Sequence, residues 1–271
     1  MSVGSRVTDG APLSVAVRLW REHRALLGRW IARQRREPLA VLALIAQPMV
    51  WLALFGHLFT RMAETAPVPG TSYLQFMTAG AVVMTVFNAC LHGGVELLFD
   101  RETGLLIRML SAPVHRVSIV TSRFIYLFML TGAQSVVILV AAALMGAHFT
   151  GGVAGLFACL LIGALFGAGV TSLSMALAFS LRSHAQFFPI TAFVGLPLTF
   201  VSSALVPVSL MPGWMQVVAG LNPMTHAVDA VRTVLLDGWD WTVLGPATGT
   251  LLLFDAGCLA VATLVLRRGL R

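Results

Sequence analysis

There is no lysine in this 271-residue chain; all 18 basic side chains are arginine. That absence excludes a nucleotide-hydrolysing phosphate loop, which needs a lysine on the β- and γ-phosphates. Charged residues of both signs make up only 11% of the chain, against about 25% in a soluble domain. No Gly-x-Ser-x-Gly and no His-Glu-x-x-His occurs, and the seven histidines are scattered without ligand spacing; the serine-protease and zinc-protease signatures are therefore missing. The three cysteines, Cys90, Cys159 and Cys258, each lie inside an apolar run and read as small packing residues. Residues 1–12 hold no apolar run, so no cleavable signal peptide is expected, and the first span does the targeting. The chain is expected to be no enzyme, with no catalytic residue, metal site or cofactor of its own.

What the chain does have is long apolar runs. Six of them, at 38–59, 74–98, 124–147, 152–181, 187–206 and 243–266, carry most of a composition that is 58% hydrophobic. About 20 apolar residues in a helix cover a hydrocarbon core of about 30 Å. The expected fold class is an all-α membrane protein with six transmembrane helices. Almost nothing remains for a second globular domain. The organisation reads as a disordered N-terminus (1–12), a cytoplasmic interfacial helix (13–37), a six-helix transmembrane domain (38–266) and a cytoplasmic tail (267–271).

The net charge of +7 could suggest nucleic acid, but the arginines are placed otherwise. Eight precede the first span, Arg101, Arg108, Arg116 and Arg123 surround the second connection, Arg182 lies in the fourth, and Arg267, Arg268 and Arg271 close the chain. The odd-numbered connections hold only Arg61 and Arg232. This bias puts both termini in the cytoplasm and points to membrane lipids rather than nucleic acid as partners.

Between 13 and 36, Leu19, Trp20, Leu26, Leu27, Trp30 and Ile31 share one helical arc and the seven arginines fill the rest, with His23 and Gln34 intruding on the apolar side. Arginine with tryptophan at helical period suits a helix lying in the membrane interface, or one packed on a soluble partner. Gln47-Pro48 should kink the first span; Pro189 and Pro197 should bend the fifth. Gly163-x-x-x-Gly167 permits close helix contact, either internal or between copies. The connection at 207–241 is external yet apolar. Asn222-Pro223 is a helix start, with Met224, Val228, Val231 and Leu235 following at helical spacing; two amphipathic helices, folded back onto the outer leaflet or re-entrant, are expected there. No repeat relates the two halves.

Asp255 is the one acid well inside a span. It is either a hydrogen-bonded structural residue or a functional one, such as part of a proton-coupled secondary transporter. The second connection presents Leu105, Leu106, Met109 and Leu110 as an apolar stripe with charged flanks, ended by Pro113. Such a helix suits insertion into a groove on a soluble partner, or it lies on the inner leaflet. Enzyme classes aside, a transporter and a non-transporting membrane anchor both remain open from these features.

Asp100-Arg101-Glu102, Gly104, Leu106, Arg108, Leu110, Pro113 and Arg116, taken with Leu221-Asn222-Pro223 and Asp229-x-x-Arg232 downstream, resemble the motifs of type-2 ATP-binding-cassette (ABC) exporter permeases, particularly the daunorubicin-resistance type. The resemblance covers about 14–271. It implies a permease subunit of an ATP-driven exporter for an amphipathic drug, antibiotic or lipid-like compound, in a bacterial plasma (inner) membrane. A lipid, glycolipid or polysaccharide cargo is the alternative within the family. It further implies two copies of a separate ATPase subunit, which bind the ATP and Mg, and a second permease, identical or paralogous. The coupling helix would be 100–113, with Arg101, Glu102, Gly104, Leu105, Leu106, Arg108, Met109, Leu110, Pro113 and Arg116 contacting the ATPase. Asn222, Pro223, Asp229 and Arg232 would cap the pathway outside. Gln47, Phe87, Asn88, Phe193 and Phe200 are the candidate pathway lining. Leu105-Leu106-Ile107 departs from the family pattern, where a Thr and a Glu are more usual.

Overall fold

The computed structural model describes residues 15–36, 38–58, 73–105, 108, 111, 115–181 and 183–269. The expected disordered N-terminus and most of the first external connection lie outside them, as do Leu106, Met109, Leu110 and Pro113. Among the described residues every regular element is helical: α1 (Val15–Arg36), α2 (Pro38–Leu58), α3 (Tyr73–Leu91), α4 (Val95–Glu102), α5 (Arg116–Leu144), α6 (Gly152–Ser180), α7 (His184–Phe200), α8 (Gly213–Leu221), α9 (Pro223–Arg232) and α10 (Trp241–Gly269).

Four stretches among them are long and apolar enough to cross a membrane: Tyr73–Glu102, Ser118–Leu144, Gly152–Ser180 and Trp241–Val265. The first and fifth expected spans correspond to α2, of 21 residues, and α7, of 17. Helix α3 sits at the centre, packed on α2, α5, α6, α7 and α9 and buried almost all round, as expected of a helix apolar on every face. Helix α6 packs most extensively on α10 and also on α3 and α9. A Cβ on Gly163 would stand 3.5 Å from Val86, and one on Gly167 would stand 3.0 Å from the Cys90 sulfur. The glycine pair thus serves the α3–α6 contact inside this chain.

Two expected helices are divided. The second span breaks at 92–94, between α3 and α4. Ser174 bridges the gap, its hydroxyl donating to Leu91 O (2.5 Å) and accepting from Gly94 N (2.8 Å). The helix expected over 100–113 is interrupted too. Its first residues belong to α4, which stops at Glu102. Gly104 takes φ +70°, a left-handed conformation that glycine adopts at no steric cost, and a helical turn resumes where Arg108 N–H bonds Gly104 O.

The 207–241 connection contains the two amphipathic helices. In the second, α9, and the turn after it, Met224, Val228, Val231 and Leu235 are all buried in the main core. Helix α8 instead leaves Trp214, Val217 and Leu221 on the surface.

Candidate functional site

Between α2, α3 and α7 lies a cavity of about 310 Å³. Gln47, Pro48 and Trp51 line it from α2; Thr85, Asn88 and His92 from α3 and the break after it; Thr191, Thr199 and Phe200 from α7, with Gln134 of α5 reaching in. The threonine hydroxyls are spent on their own helices, donating to Ala81 O, Phe187 O and Gly195 O. The other polar side chains of the lining are the carboxamides Gln47, Asn88 and Gln134, the His92 imidazole and the Trp51 indole; Asn88 Nδ2 donates to Met84 O (2.9 Å) and His92 Nδ1 meets Asn88 O (2.8 Å). Among the described residues no charged side chain lines the cavity. An apolar wall with a few convergent neutral donors and acceptors is the usual make-up of a small-molecule site.

Three of the sequence candidates, Gln47, Asn88 and Phe200, meet here. Phe87 is buried behind the wall, its ring 6.1 Å from that of Phe166. Phe193 points outward, 81% exposed. Asp255 lies at the α6–α10 contact, where a Cβ on Gly169 would fall 2.2 Å from its Oδ1, and it does not line the cavity. Trp51, Gln134 and Thr191 were not among the candidates; only the interior polarity of Gln134 could have drawn attention to it.

At the end of α4, Arg101 donates to Leu181 O (3.2 Å). Glu102 accepts from the His184 backbone N–H (2.9 Å) and pairs with its ring Nδ1 (2.7 Å). Glu102 thereby satisfies a free N–H at the start of α7 and sits at the positive end of that helix. Leu105 and Arg108 are exposed beyond this clasp. Arg116 opens α5.

Helix α1 is fastened to the same end of the bundle, by the residues that looked out of place on its apolar face. His23 Nε2 meets the Thr121 hydroxyl at 2.7 Å, and Gln34 Oε1 accepts from the Tyr126 hydroxyl at 2.9 Å. Arg29 pairs with Asp100 (2.8 Å) and Arg33 with Glu96 (2.5 Å). Glu22 accepts from the Ser118 hydroxyl (2.8 Å) and from His115 (3.1 Å to Nδ1). The Ser118 hydrogen bond chiefly, with His115, holds the Glu22 carboxyl down at about 2. A carboxyl whose pKa is depressed on folding stabilises the folded state above its unfolded pKa and loses that contribution as pH falls through the folded one. Docking of α1 is therefore expected to be intact above pH 4.5, the ordinary value, and to weaken as pH drops toward 2. Faster backbone hydrogen exchange in α1, corrected for intrinsic rate, would report it; unchanged protection down to pH 2 would remove Glu22 from the docking.

On the opposite end, Asn222 caps α9, its Oδ1 accepting from Met224 N–H (3.0 Å) while Nδ2 donates to Leu198 O and Val201 O (both 2.7 Å). Pro223 fills the first helical position. Asp229 accepts from the Ser203 hydroxyl (2.7 Å) and from Arg232 (3.1 Å), and Arg232 donates to Ser203 O (2.8 Å) over the Phe76 ring. Asn222, Asp229 and Arg232 thus tie α9 to the end of α7, to Ser203 just beyond it and to α3, while Pro223 only starts the helix.

A family model described as ABC-2 type transporter matches residues 21–236, a range that holds the cavity, the α4–α7 clasp and the Asn222 cap. The ycf38 transport permease of Porphyra purpurea is 36% identical over 224 residues, covering 82% of this chain and 76% of the relative. The daunorubicin resistance ABC transporter permease protein DrrB1 of Streptomyces coeruleorubidus is 26% identical, covering 96% and 87%. Nodulation protein J of Rhizobium meliloti is 28% identical, covering 89% and 94%.

Proposed function

This chain belongs to the ABC-2 type transporter family, and from that premise we propose that it is the permease subunit of an ATP-driven exporter. Its cargo is an amphipathic small molecule whose apolar body suits the α2–α3–α7 cavity. Two copies of a separate ATPase subunit bind ATP and Mg, and a second permease, identical or paralogous, completes the pathway. In this reading six spans cross a bacterial plasma membrane with both termini in the cytoplasm, α2 and α7 supplying the first and fifth.

One observation carries the mechanism: the cytoplasmic turn is joined to both sides of the cavity. Backward from it, α4 leads through the 92–94 break to His92 and Leu91, which line the cavity. Sideways, Glu102 holds the start of α7, whose Thr191, Thr199 and Phe200 line the facing wall, while Arg101 holds the end of α6 at Leu181 O. A displacement delivered to the turn by a partner moves the ends of α3 and α7 together and changes the gap between them. The position of Asp255 away from that cavity supports a packing role over proton coupling.

Glu102→Ala and Leu106→Asp test this. Export in the presence of the ATPase is expected to fall about tenfold, the scale of a coupling free energy of 1–2 kcal/mol, with nucleotide hydrolysis no longer responding to cargo. Wild-type export and hydrolysis in both variants would remove the coupling role.

A further inference from the structure

A second cavity, of about 230 Å³, lies between α1, α3, α4 and α5. Arg33, Gln34, His92, Glu96, Arg123 and Tyr126 contribute to its lining. Arg123 is the unusual member. It is 4% exposed, its Nε donates to Gly93 O at 3.0 Å, and its guanidinium lies 4.4 Å from the centre of the Trp30 ring and 5.3 Å from that of Tyr126. Among the described residues its two terminal nitrogens make no hydrogen bond or ion pair. The nearby carboxylates are taken: Asp100 by Arg29 and Glu96 by Arg33. A buried guanidinium without a carboxylate of its own is costly unless something accepts from it.

Two more donors of the lining lack acceptors. Gln34 uses its oxygen on Tyr126, while its Nε2 is buried without an acceptor among the described residues, as is Trp30 Nε1. Arg33 and Arg123 against Glu96 leave one positive charge in excess. The unmatched donors Gln34 Nε2 and Trp30 Nε1 join the Arg123 guanidinium around a space too small for a whole lipid but sufficient for a head group, and the one orphan acceptor, Glu96 Oε2, is held in the ion pair with Arg33. Arg123 lies five residues into the membrane-crossing stretch Ser118–Leu144, about 7 Å along the helix from its end, which is near head-group depth.

We propose that this cavity binds the oxyanion, phosphate or carboxylate, of a membrane amphiphile, with the Arg123 fork as its principal donor. A planar guanidinium suits such groups through paired N–H bonds, and basic pockets between membrane helices receive anionic lipid heads in this way. Asn88 and His92 line this cavity and the larger one alike. An amphiphile held here by its head therefore adjoins the larger cavity; that route rests on the transport reading, whereas the binding does not.

The test uses the full chain with Trp30 as its sole tryptophan, Trp20, Trp51, Trp214, Trp239 and Trp241 being replaced by Phe, in lipid nanodiscs without ATPase or transport. Chain-brominated phosphatidylglycerol is expected to quench Trp30 at about a tenfold lower mole fraction than brominated phosphatidylcholine, the effect of one charge-assisted hydrogen-bond pair. Arg123→Gln should abolish that preference. Glu96→Gln should enlarge it, a gain that misfolding cannot produce. In phosphatidylcholine discs, dodecyl phosphate and inorganic phosphate are added separately. A response to dodecyl phosphate but no phosphatidylglycerol preference would support the site and identify a non-lipid amphiphile as its ligand. Equal quenching by both lipids with no response to dodecyl phosphate, an unchanged preference in both variants, or an equal response to inorganic phosphate would overturn the proposal. None of these outcomes bears on export.

Discussion

Asn222→Ala is expected to destabilise the folded chain by about 3 kcal/mol, combining a lost helix cap of about 1 kcal/mol with two buried carbonyls left without donors at about 1 kcal/mol each. The size of the effect follows from one side chain doing two tasks. Its oxygen caps α9 through Met224 N–H, and its nitrogen serves Leu198 O and Val201 O where α7 runs out. Those carbonyls belong to the last turn of a helix, which has no partners of its own for them, and Asn222 itself is 4% exposed. Water therefore cannot readily replace the amide. Asn222→Ser should recover the cap alone, about 1 kcal/mol. Asn222→Asp keeps the cap acceptor but sets a carboxylate against two carbonyls, and should be at least as damaging as alanine. Denaturant titration of the full chain in mild detergent checks the order. An alanine variant as stable as the wild type would mean that α9 is held by its apolar stripe alone.

Gly94→Val is expected to abolish export, with little recovery when the protein is correctly inserted and purified. A Cβ at Gly94 would lie 2.3 Å from Ser174 O and 2.6 Å from its carbonyl carbon, and neither backbone atom can move aside without shifting α6. The break between α3 and α4 would be pushed away from α6, and the Ser174 hydroxyl could no longer bridge Leu91 O and Gly94 N. Overpacking of this kind costs about 1–3 kcal/mol. On the proposed mechanism the larger consequence lies in the joint through which the turn after α4 would move the cavity wall. Ser174→Ala provides the milder comparison, leaving two backbone groups unbridged without adding volume; it should reduce export only partly. Export and cargo-stimulated hydrolysis measured side by side on inserted protein separate the two. Full export by Gly94→Val would show that the break is not the mechanical joint.

Several parts of the architecture were legible because their physics is local. The α9 start needed only an asparagine before a proline and an apolar stripe after them, and the structure buries that stripe residue for residue. Helix α1 was visible from its period, and the two polar residues spoiling its apolar face, His23 and Gln34, turned out to be its hydrogen bonds to α5. Gln47 and Asn88 could be singled out because a carboxamide in an apolar helix is conspicuous. Phe87, Phe193 and Phe200 could not be sorted in the same way. All three sit in uniformly apolar helices with no polar face to set their orientation, and only the neighbouring helices send one behind the wall, one outward and one into the cavity. The divided second span carried a signal in Gly93-Gly94, but a glycine pair in a membrane helix is as compatible with close packing as with a break.

The residues alone determined that this is a helical, apolar membrane protein of the ABC-2 type, with a basic, motif-bearing segment and a capped helix start at Asn222-Pro223. Hydrocarbon length, charge distribution and capping depend on residues close together in the chain. Tertiary packing alone decided that Glu102 clasps the start of α7, that Ser174 bridges the broken helix, and that Arg123 is buried beside a cavity with no carboxylate of its own among the described residues. Each of these joins groups 30 to 90 positions apart, and no local pattern records which of several equivalent arginines, serines or glutamates will meet.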